Sequence, residues 1–578
     1  LRAADRGDHD AMRQFFHDLS PESRRRRFFA AGEPPESIID KLCDSTDLTK
    51  ALTRVVRRHV EGDVRLIAVG SYLALTGTVA EVAFAVDDRF HGKGLATVLL
   101  ERLAVIASSM GFRKFQATTL TDNNAMLEVF RDSGFEIRSK SASGCIDVQL
   151  SLATSYESVA SAEERNRLAT AASLKPMLEP RAVAVVGVSR EKTGIGRRIL
   201  DAVRKARFAG PVYAVNPRKP DLGDEPCYAT VTEAPAGVDL AIIAVPRDHV
   251  LNVVHDCAAA GVKSLVVITA GFAEAGEEGR ALQKQLVETV RSYGMRLVGP
   301  NCMGLLNAGP DISLNASFSW VFPPAGHIAL SSQSGALGIT ILDLAAERKL
   351  GISSFVSVGN KADVSGNDLL QYWEGDPATS VILLYLESFG NPRRFARLAQ
   401  RIGRKKPIVV VKAGRTQGGR RAAGSHTAAL AASDVAVDAT FRQTGVIRAE
   451  TIDEMFDIAA CLDLQPLPAG GRVAIVTNAG GPGILATDAC ESAGLTVAEF
   501  SPGTREKLAA FLPPAASTRN PVDMVASAGP NEYRQAVEIA LTADEVDSLI
   551  VLYTPVDMAT AHLTLDAIRT AVAAGRAA

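Results

Sequence analysis

A glycine-rich turn set between a strand and a helix constrains this sequence more than any other stretch. Residues 79–86 alternate small or charged with apolar side chains, as a half-buried strand does. Residues 95–103 carry leucines and valines at helical spacing. Between them runs Asp87-Asp88-Arg89-Phe90-His91-Gly92-Lys93-Gly94. Such a turn aims several backbone N–H groups at one place, beside the positive end of the helix dipole. Its two glycines let an anion approach with no Cβ in the way. A pyrophosphate fits there. The plain alternative is an ordinary glycine-containing turn, and one short motif does not decide between them.

The surroundings carry more. The turn resembles the acetyl-CoA-binding turn of the GNAT acetyltransferases, Gln/Arg-x-x-Gly-x-Gly/Ala, with His91 at the Gln/Arg position and Gly92-Lys93-Gly94-Leu95-Ala96 after it. Asn123, Phe130, Gly134 and Phe135 fall at the spacing of that family's closing segment. The resemblance implies an α+β domain over residues 1–150 that holds acetyl-CoA through Phe84, Val86, His91, Gly92, Lys93, Gly94, Leu95, Ala96 and Asn123. It is nearest to bacterial protein lysine acetyltransferases fused to a large acyl-CoA synthetase-like region.

Acetyl transfer to lysine needs a neutral amine, and the free side chain holds its proton up to a pKa of ~10.4. A carboxylate beside the acceptor can take it. Glu81 is the candidate base, on one strand face with the small residues Ala83 and Ala85. The alternative is a solvent-facing strand residue. Phe130 stands where many GNAT enzymes place a tyrosine that reprotonates the thiolate, so the resemblance implies a thiolate that leaves unaided or through water.

The chain has 578 residues, 47% hydrophobic and 22% charged, with a formal net charge of −2. This length predicts three to five domains (single cores rarely exceed ~250 residues). Near-neutrality gives no electrostatic reason to expect nucleic acid. The cluster Arg24–Arg27 reads as a solvated helix face or a contact for CoA phosphates or an acidic protein. Seven cysteines stand singly, without C-x-x-C, as reduced thiols in a cytoplasm do. No apolar run reaches the ~18–20 residues of a membrane span, so no membrane partner is expected. The chain opens at Leu1 without Met and reads as a fragment at both ends.

In order, residues 5–30 read as helix, 65–71 and 78–86 as strands, 112–120 as a strand, 124–132 as a helix, and two closing strands end near 150. Residues 151–176 read as a helical linker with little to bury. Short β-rich runs at 182–186, 212–215, 240–245, 265–269 and 296–298 alternate with helical stretches, which predicts a doubly wound parallel sheet over 177–305. A third set begins at 326, with strands at 328–330, 354–357, 381–385 and 408–411, in a domain over 306–466. A fourth includes 472–477 and 548–553 and reads as a truncated domain over 467–578.

The turn after 182–186 runs from Gly187 to Gly196 and lacks G-x-G-x-x-G spacing. The second strand ends in Asn216-Pro217-Arg218-Lys219 where an acid would grip a ribose hydroxyl. Basic residues there suit an extra ribose phosphate, which NADP and CoA both have. Val215-Asn216-Pro217, Ile268-Thr269-Ala270-Gly271-Phe272-Ala273-Glu274 and Gly299-Pro300-Asn301-Cys302 resemble the CoA-binding domain of NDP-forming acyl-CoA synthetases, relatives of succinyl-CoA synthetase. The resemblance implies CoA on Gly187, Ser189, Arg190, Asn216, Lys219, Val245, Thr269, Gly271 and Asn301.

It continues downstream. Ser331-Ser332-Gln333-Ser334-Gly335 is similar to that family's phosphate loop, implying roles for Ser332, Ser334 and Gly335. Gly424-Ser425-His426-Thr427 is similar to the phosphohistidine loop, with Glu387 as the carboxylate that fixes the tautomer of His426. Ala428 departs from the family's glycine. No ATP-grasp region is found in this chain, so ATP and magnesium are expected only where such a domain is supplied. The fold expected is multidomain α/β: a GNAT domain, a Rossmann-like CoA-binding domain and two flavodoxin-like ligase domains. The function expected is acetyl-CoA-dependent protein lysine N-acetylation, with acyl-CoA synthetases as the implied targets and a regulatory ligase-like region. The alternatives are an NDP-forming acetate or acyl-CoA ligase working through His426, and a non-enzymatic CoA sensor. A homo-oligomer stays open.

Overall fold

The structure, a computed structural model, describes residues 1–153, 156–223, 225–235, 237–416, 434–559 and 561–575. The chain divides into two compact units, Leu1–Asp463 and Leu464–Ala578. The first contains three sheets.

The first sheet has seven strands in the order Arg2–Ala3, Ala51–Val60, Asp63–Ala74, Val79–Val86, Lys114–Leu120, Cys145–Ser151, Ile137–Ala142. All neighbours are antiparallel except Val79–Val86 and Lys114–Leu120. Alternation sorts the central strand's side chains. Ala80, Val82 and Phe84 pack with Leu99, Leu100 and Leu103 of the helix Leu95–Ser109. Ala85 packs on the other face with Phe15 and Phe16 of the helix His9–Asp18. The helix expected over 5–30 is in fact a short turn Arg6–Asp8 and two helices, His9–Asp18 and Pro21–Phe28. Leu19 and Ser20 are extended, and at Ser20 the ring of Pro21 excludes helical backbone. Ser20 then caps the second helix through its hydroxyl.

The linker expected over 151–176 is the helix Tyr156–Leu178, and it buries more than expected. Leu174, inside that expected linker, is fully buried with Met177 and Leu178 in the core of the next domain. Arg165 Nη1 reaches back to the Asp132 carbonyl at 2.6 Å, and Asn166 forward to Gln371 at 2.9 Å.

The second sheet has six parallel strands. Its order is Cys227–Tyr228, Val212–Val215, Val183–Val186, Leu240–Ile243, Ser264–Val267, Arg296–Val298, the doubly wound order that reverses beside its first strand. The third sheet was expected from residue 326 onward. It also takes in Gly304–Asn307 and Leu314–Ser317, which run antiparallel at one edge. Its parallel strands follow in the order Ile352–Ser357, Ala325–Ser332, Val381–Leu386, Ile408–Lys412, Ile447–Ala449, the flavodoxin-like order.

The second unit centres on the strand Arg472–Thr477, which pairs in parallel with Thr496–Val497, Val522–Asp523 and Ser548–Leu552. Its core gathers Ala474, Val476, Leu508, Met524 and Tyr533.

Candidate functional site

The strands Val79–Val86 and Lys114–Leu120 share only the rungs Val79–Lys114, Ala80–Phe115 and Glu81–Gln116. Beyond Glu81 no ladder bond joins them. A cavity of about 350 Å³ fills the gap, walled by Val82–Val86 on one side and Ala117–Thr119 on the other. The freed strand edges offer backbone donors and acceptors to an extended, amide-bearing ligand. At the mouth, Gly92 and Gly94 have φ of 72° and 73°, a conformation side chains resist. Gly94 is the N-cap of the helix Leu95–Ser109 and caps it with no side chain, leaving its first N–H groups for an anion. The residues present therefore fit a nucleotide-linked thioester arm with its pyrophosphate at the mouth.

His91, Gly92, Lys93, Gly94, Leu95, Ala96, Phe84, Val86 and Asn123 all line this cavity. His91 Nε2 donates to the Val86 carbonyl at 2.9 Å, and Asn123 caps the helix Asn124–Asp132. Glu81 stands on the last rung, exposed, and is not part of the cavity wall. Phe130 is buried in the wall. Asp87 caps the turn and pairs with Arg89 at 2.7 Å. Asp88 accepts from Ser20 N at 3.0 Å, Ser20 Oγ at 2.9 Å and Ser23 Oγ at 2.7 Å. Burial alone would raise the Asp88 carboxyl, but these donors outweigh it and hold it below the usual aspartate value.

The arginine cluster divides. Arg24 bonds the carbonyls of His17 and Ala31, Arg25 pairs with Glu22 and Asp122, and Arg26 pairs with Glu22. Arg27 joins the cavity wall, its guanidinium 4.9 Å from the Phe28 ring centroid. Burial pulls its pKa down to about 10, opposed by the charge of Glu81.

A second cavity, about 690 Å³, opens where loops of the second and third sheets meet. It brings together Val245, Thr269, Asn301, Ser334 and Gly335 from the residues expected to bind ligand, with Glu387, expected to orient His426. Ser332 lies just behind, its Oγ donating to the Ser334 carbonyl at 2.7 Å. Gln333 organises the floor. Its Oε1 accepts from Glu387 N and Ser388 N, each at 2.9 Å, and its Nε2 donates to the Ser388 carbonyl at 2.7 Å. Lys361 Nζ donates to Gln333 Oε1 at 3.2 Å, to the Ser388 carbonyl at 2.9 Å and to Ser388 Oγ. Burial pulls Lys361 down to about 8, against the charge of Glu387. Glu274 accepts from Gly271 N at 2.6 Å and from Asn360 at 2.5 Å.

Gly187, Ser189, Arg190, Asn216, Lys219 and Gly271 are not part of that lining. Gly187 and Gly196 instead let turn and helix close up. A Cβ on Gly187 would stand 2.3 Å from the Ala244 carbonyl oxygen, and one on Gly196 2.4 Å from that of Gly187. Lys219 pairs with Glu233 at 2.9 Å, and Asn216 donates to the Val188 carbonyl at 2.8 Å. His426 and its neighbours Gly424, Ser425 and Thr427 lie outside the described residues. The sequence reading missed Lys361 as a site residue, named Gln333 and Glu274 only as members of their motifs, and named Arg27 only within the arginine cluster. The signal for Lys361 was there: Gly359-Asn360-Lys361 follows a parallel strand, where such sheets bind ligands.

Family models match four stretches of the chain. These are the acetyltransferase (GNAT) family over 13–135, a CoA binding domain over 181–308, a succinyl-CoA ligase like flavodoxin domain over 325–462, and a ligase-CoA domain over 473–577. The chain is 43% identical over 373 residues to the acetate–CoA ligase [ADP-forming] II subunit alpha of Pyrococcus furiosus, covering 64% of this chain and 80% of that one. It is 42% identical over 382 residues to acetate–CoA ligase [ADP-forming] I of Archaeoglobus fulgidus, covering 66% and 55%, so it spans about half of that protein. The dinucleotide-forming acetyl-coenzyme A synthetase 1 of Ca. Korarchaeum cryptofilum, solved with phosphate and ADP, matches at 40% identity and a TM-score of 0.65 over 69% of this chain and 86% of that one.

Proposed function

Because the chain belongs to the ADP-forming acetate–CoA ligase family and carries a GNAT domain ahead of the ligase-type region, we propose that it is an acetyl-CoA-dependent protein lysine N-acetyltransferase with a second, ligase-type CoA site. The observation that carries the reading is the cleft between Val79–Val86 and Lys114–Leu120, with an uncapped helix N-terminus at its mouth. Phosphates sit on the N–H groups after Gly94, and the amide-bearing arm completes the open strand edges. The thioester then lies near Phe84–Val86, whose backbone donors face the oxygen that gains charge. Glu81 takes the amine proton through water, consistent with its place at the closed end but outside the wall. The nitrogen bonds the acyl carbon, the C–S bond breaks, and the thiolate leaves without help from Phe130. Acyl-CoA synthetases are the protein targets that the resemblance favours.

The test is acetylation of a lysine protein by the full-length enzyme, read by mass spectrometry with and without ATP. Transfer without ATP is expected, falling about 100-fold or more in Glu81→Gln while acetyl-CoA binding persists. An unchanged rate would remove Glu81 from the mechanism. The second reading, an acyl-CoA ligase through His426, is favoured by the assembled Glu387, Gln333 and Ser334 cavity and by the names of the relatives. ATP- and acetate-dependent CoA acylation, with an ATP-grasp partner added, would establish it.

A further inference from the structure

We propose that Arg27 reads a carboxylate on the substrate, so that the GNAT site prefers an acyl group or an acceptor bearing a free carboxylate; this rests on the reading of that domain as an N-acyltransferase. Ser20, Ser23 and Arg27 follow one another at i, i+3 and i+7, along one side of the helix Pro21–Phe28. The two serines are tied to Asp88 at the phosphate end of the cleft. Arg27 lies a turn beyond Ser23, ~6 Å along the axis, within reach of the charge of Glu81. Glu81 is five residues back from Val86 on the strand, ~17 Å from the phosphate end. Arg27 thus lines the cleft beyond Ser23, on the side toward Glu81 and the acyl and acceptor end.

Its surroundings say what it lacks. Arg24, Arg25 and Arg26 each have partners. Among the described residues no carboxylate stands within ion-pair distance of Arg27, whose guanidinium lies against the Phe28 ring in a cavity wall that also holds Leu19, Val82, Ala83 and Phe84. A partly buried guanidinium left so is costly unless an anion arrives with the ligand. The planar fork of arginine suits a carboxylate, which it can grip with two parallel bonds. Two sources supply that chemistry: the far carboxyl of a dicarboxylic acyl thioester, or an acidic side chain beside the acceptor lysine. In either case the reaction is unchanged: N–C forms, C–S breaks, the thiolate departs with the electron pair, and the amine proton leaves through Glu81 and water.

The experiment measures kcat/KM of the full-length protein in two arms. One compares succinyl-CoA with acetyl-CoA on a neutral lysine peptide. The other compares acetyl transfer to lysine peptides flanked by Asp or by Asn. A preference of at least about tenfold for the carboxylate-bearing partner is expected in one arm, and it identifies the source. That ratio should fall toward one in Arg27→Met and recover in part in Arg27→Lys. A wild-type ratio of one in both arms overturns the proposal, as does a preference that Arg27→Met leaves intact. Calorimetric affinities of wild-type protein for succinyl-CoA and acetyl-CoA read the donor arm without catalysis. Absence of any acyl transfer, with both thioesters bound, instead sinks the acyltransferase reading itself.

Discussion

Lys361 shows how much of the second cavity hangs on single side chains. Its ammonium is held by a side-chain amide oxygen, a carbonyl and a hydroxyl, and among the described residues no carboxylate bonds it directly. Desolvation is therefore the larger influence and lowers its pKa from the ordinary lysine value to about 8, while the charge of Glu387 pulls the other way. Amine labelling of Lys361 as a function of pH should accordingly show a midpoint near 8 rather than the ~10.4 of a free lysine. In Glu387→Gln the midpoint should fall further, because the charge that favours the ammonium is gone. A midpoint at the free-lysine value would mean that the floor built on Gln333 is open to water. The same residue carries a stability term of definite sign. A lysine depressed in the fold costs stability below about 8, and the cost fades as pH climbs toward ~10.4.

At the scale of elements, the clasp between Asp88 and the helix Pro21–Phe28 decides where Arg27 and the cavity wall stand. One carboxylate receives three donors from Ser20 and Ser23. Because its folded pKa is lowered, the clasp is complete above the ordinary aspartate value of ~3.9 and is lost as pH falls below it through the folded value. Asp88→Ala should raise amide exchange in Pro21–Phe28 about tenfold or more at neutral pH, and acidification should mimic it in the wild type; equal protection in both proteins would refute the clasp. This element was partly legible. Residues 5–30 read as helix although the break at Ser20-Pro21 does not show in that reading, and Gly92 and Gly94 mark the turn because only glycine takes their φ cheaply. The strand Ala51–Val60 was not legible, since Arg57 and Arg58 break its apolar alternation. Nor was the cleft itself. A strand's sequence states which side chains face the core, but not at which rung its neighbour ceases to bond. Gly304–Asn307 was missed for the same reason, its partner Ile352–Ser357 lying far along the chain.

At the scale of the molecule, the acyltransferase cleft and the ligase-type cavity lie in one compact unit, Leu1–Asp463. Their domains touch. His59 of the first sheet stacks on Tyr293 at 4.1 Å between ring centroids, and His255 meets the Tyr293 hydroxyl at 3.0 Å. Arg291 and Arg296 both grip Asp363 at 2.8 Å, tying the second sheet's domain to the third's. Calorimetric titration of the whole chain with CoA should resolve two sites. Gly94→Val should abolish one and spare the other, because a β-branched residue is strained at a φ of 73°. A single site in the wild type would contradict the reading of both cavities.

The three rungs that join Val79–Val86 to Lys114–Leu120 make the first domain a clothes-peg. Two stiff jaws of antiparallel strands share a short spring, and whatever slides between them supplies the missing teeth of the ladder. Gripping and stiffening are then a single event, so the domain's resistance to heat should climb in step with the fraction of jaws that are filled.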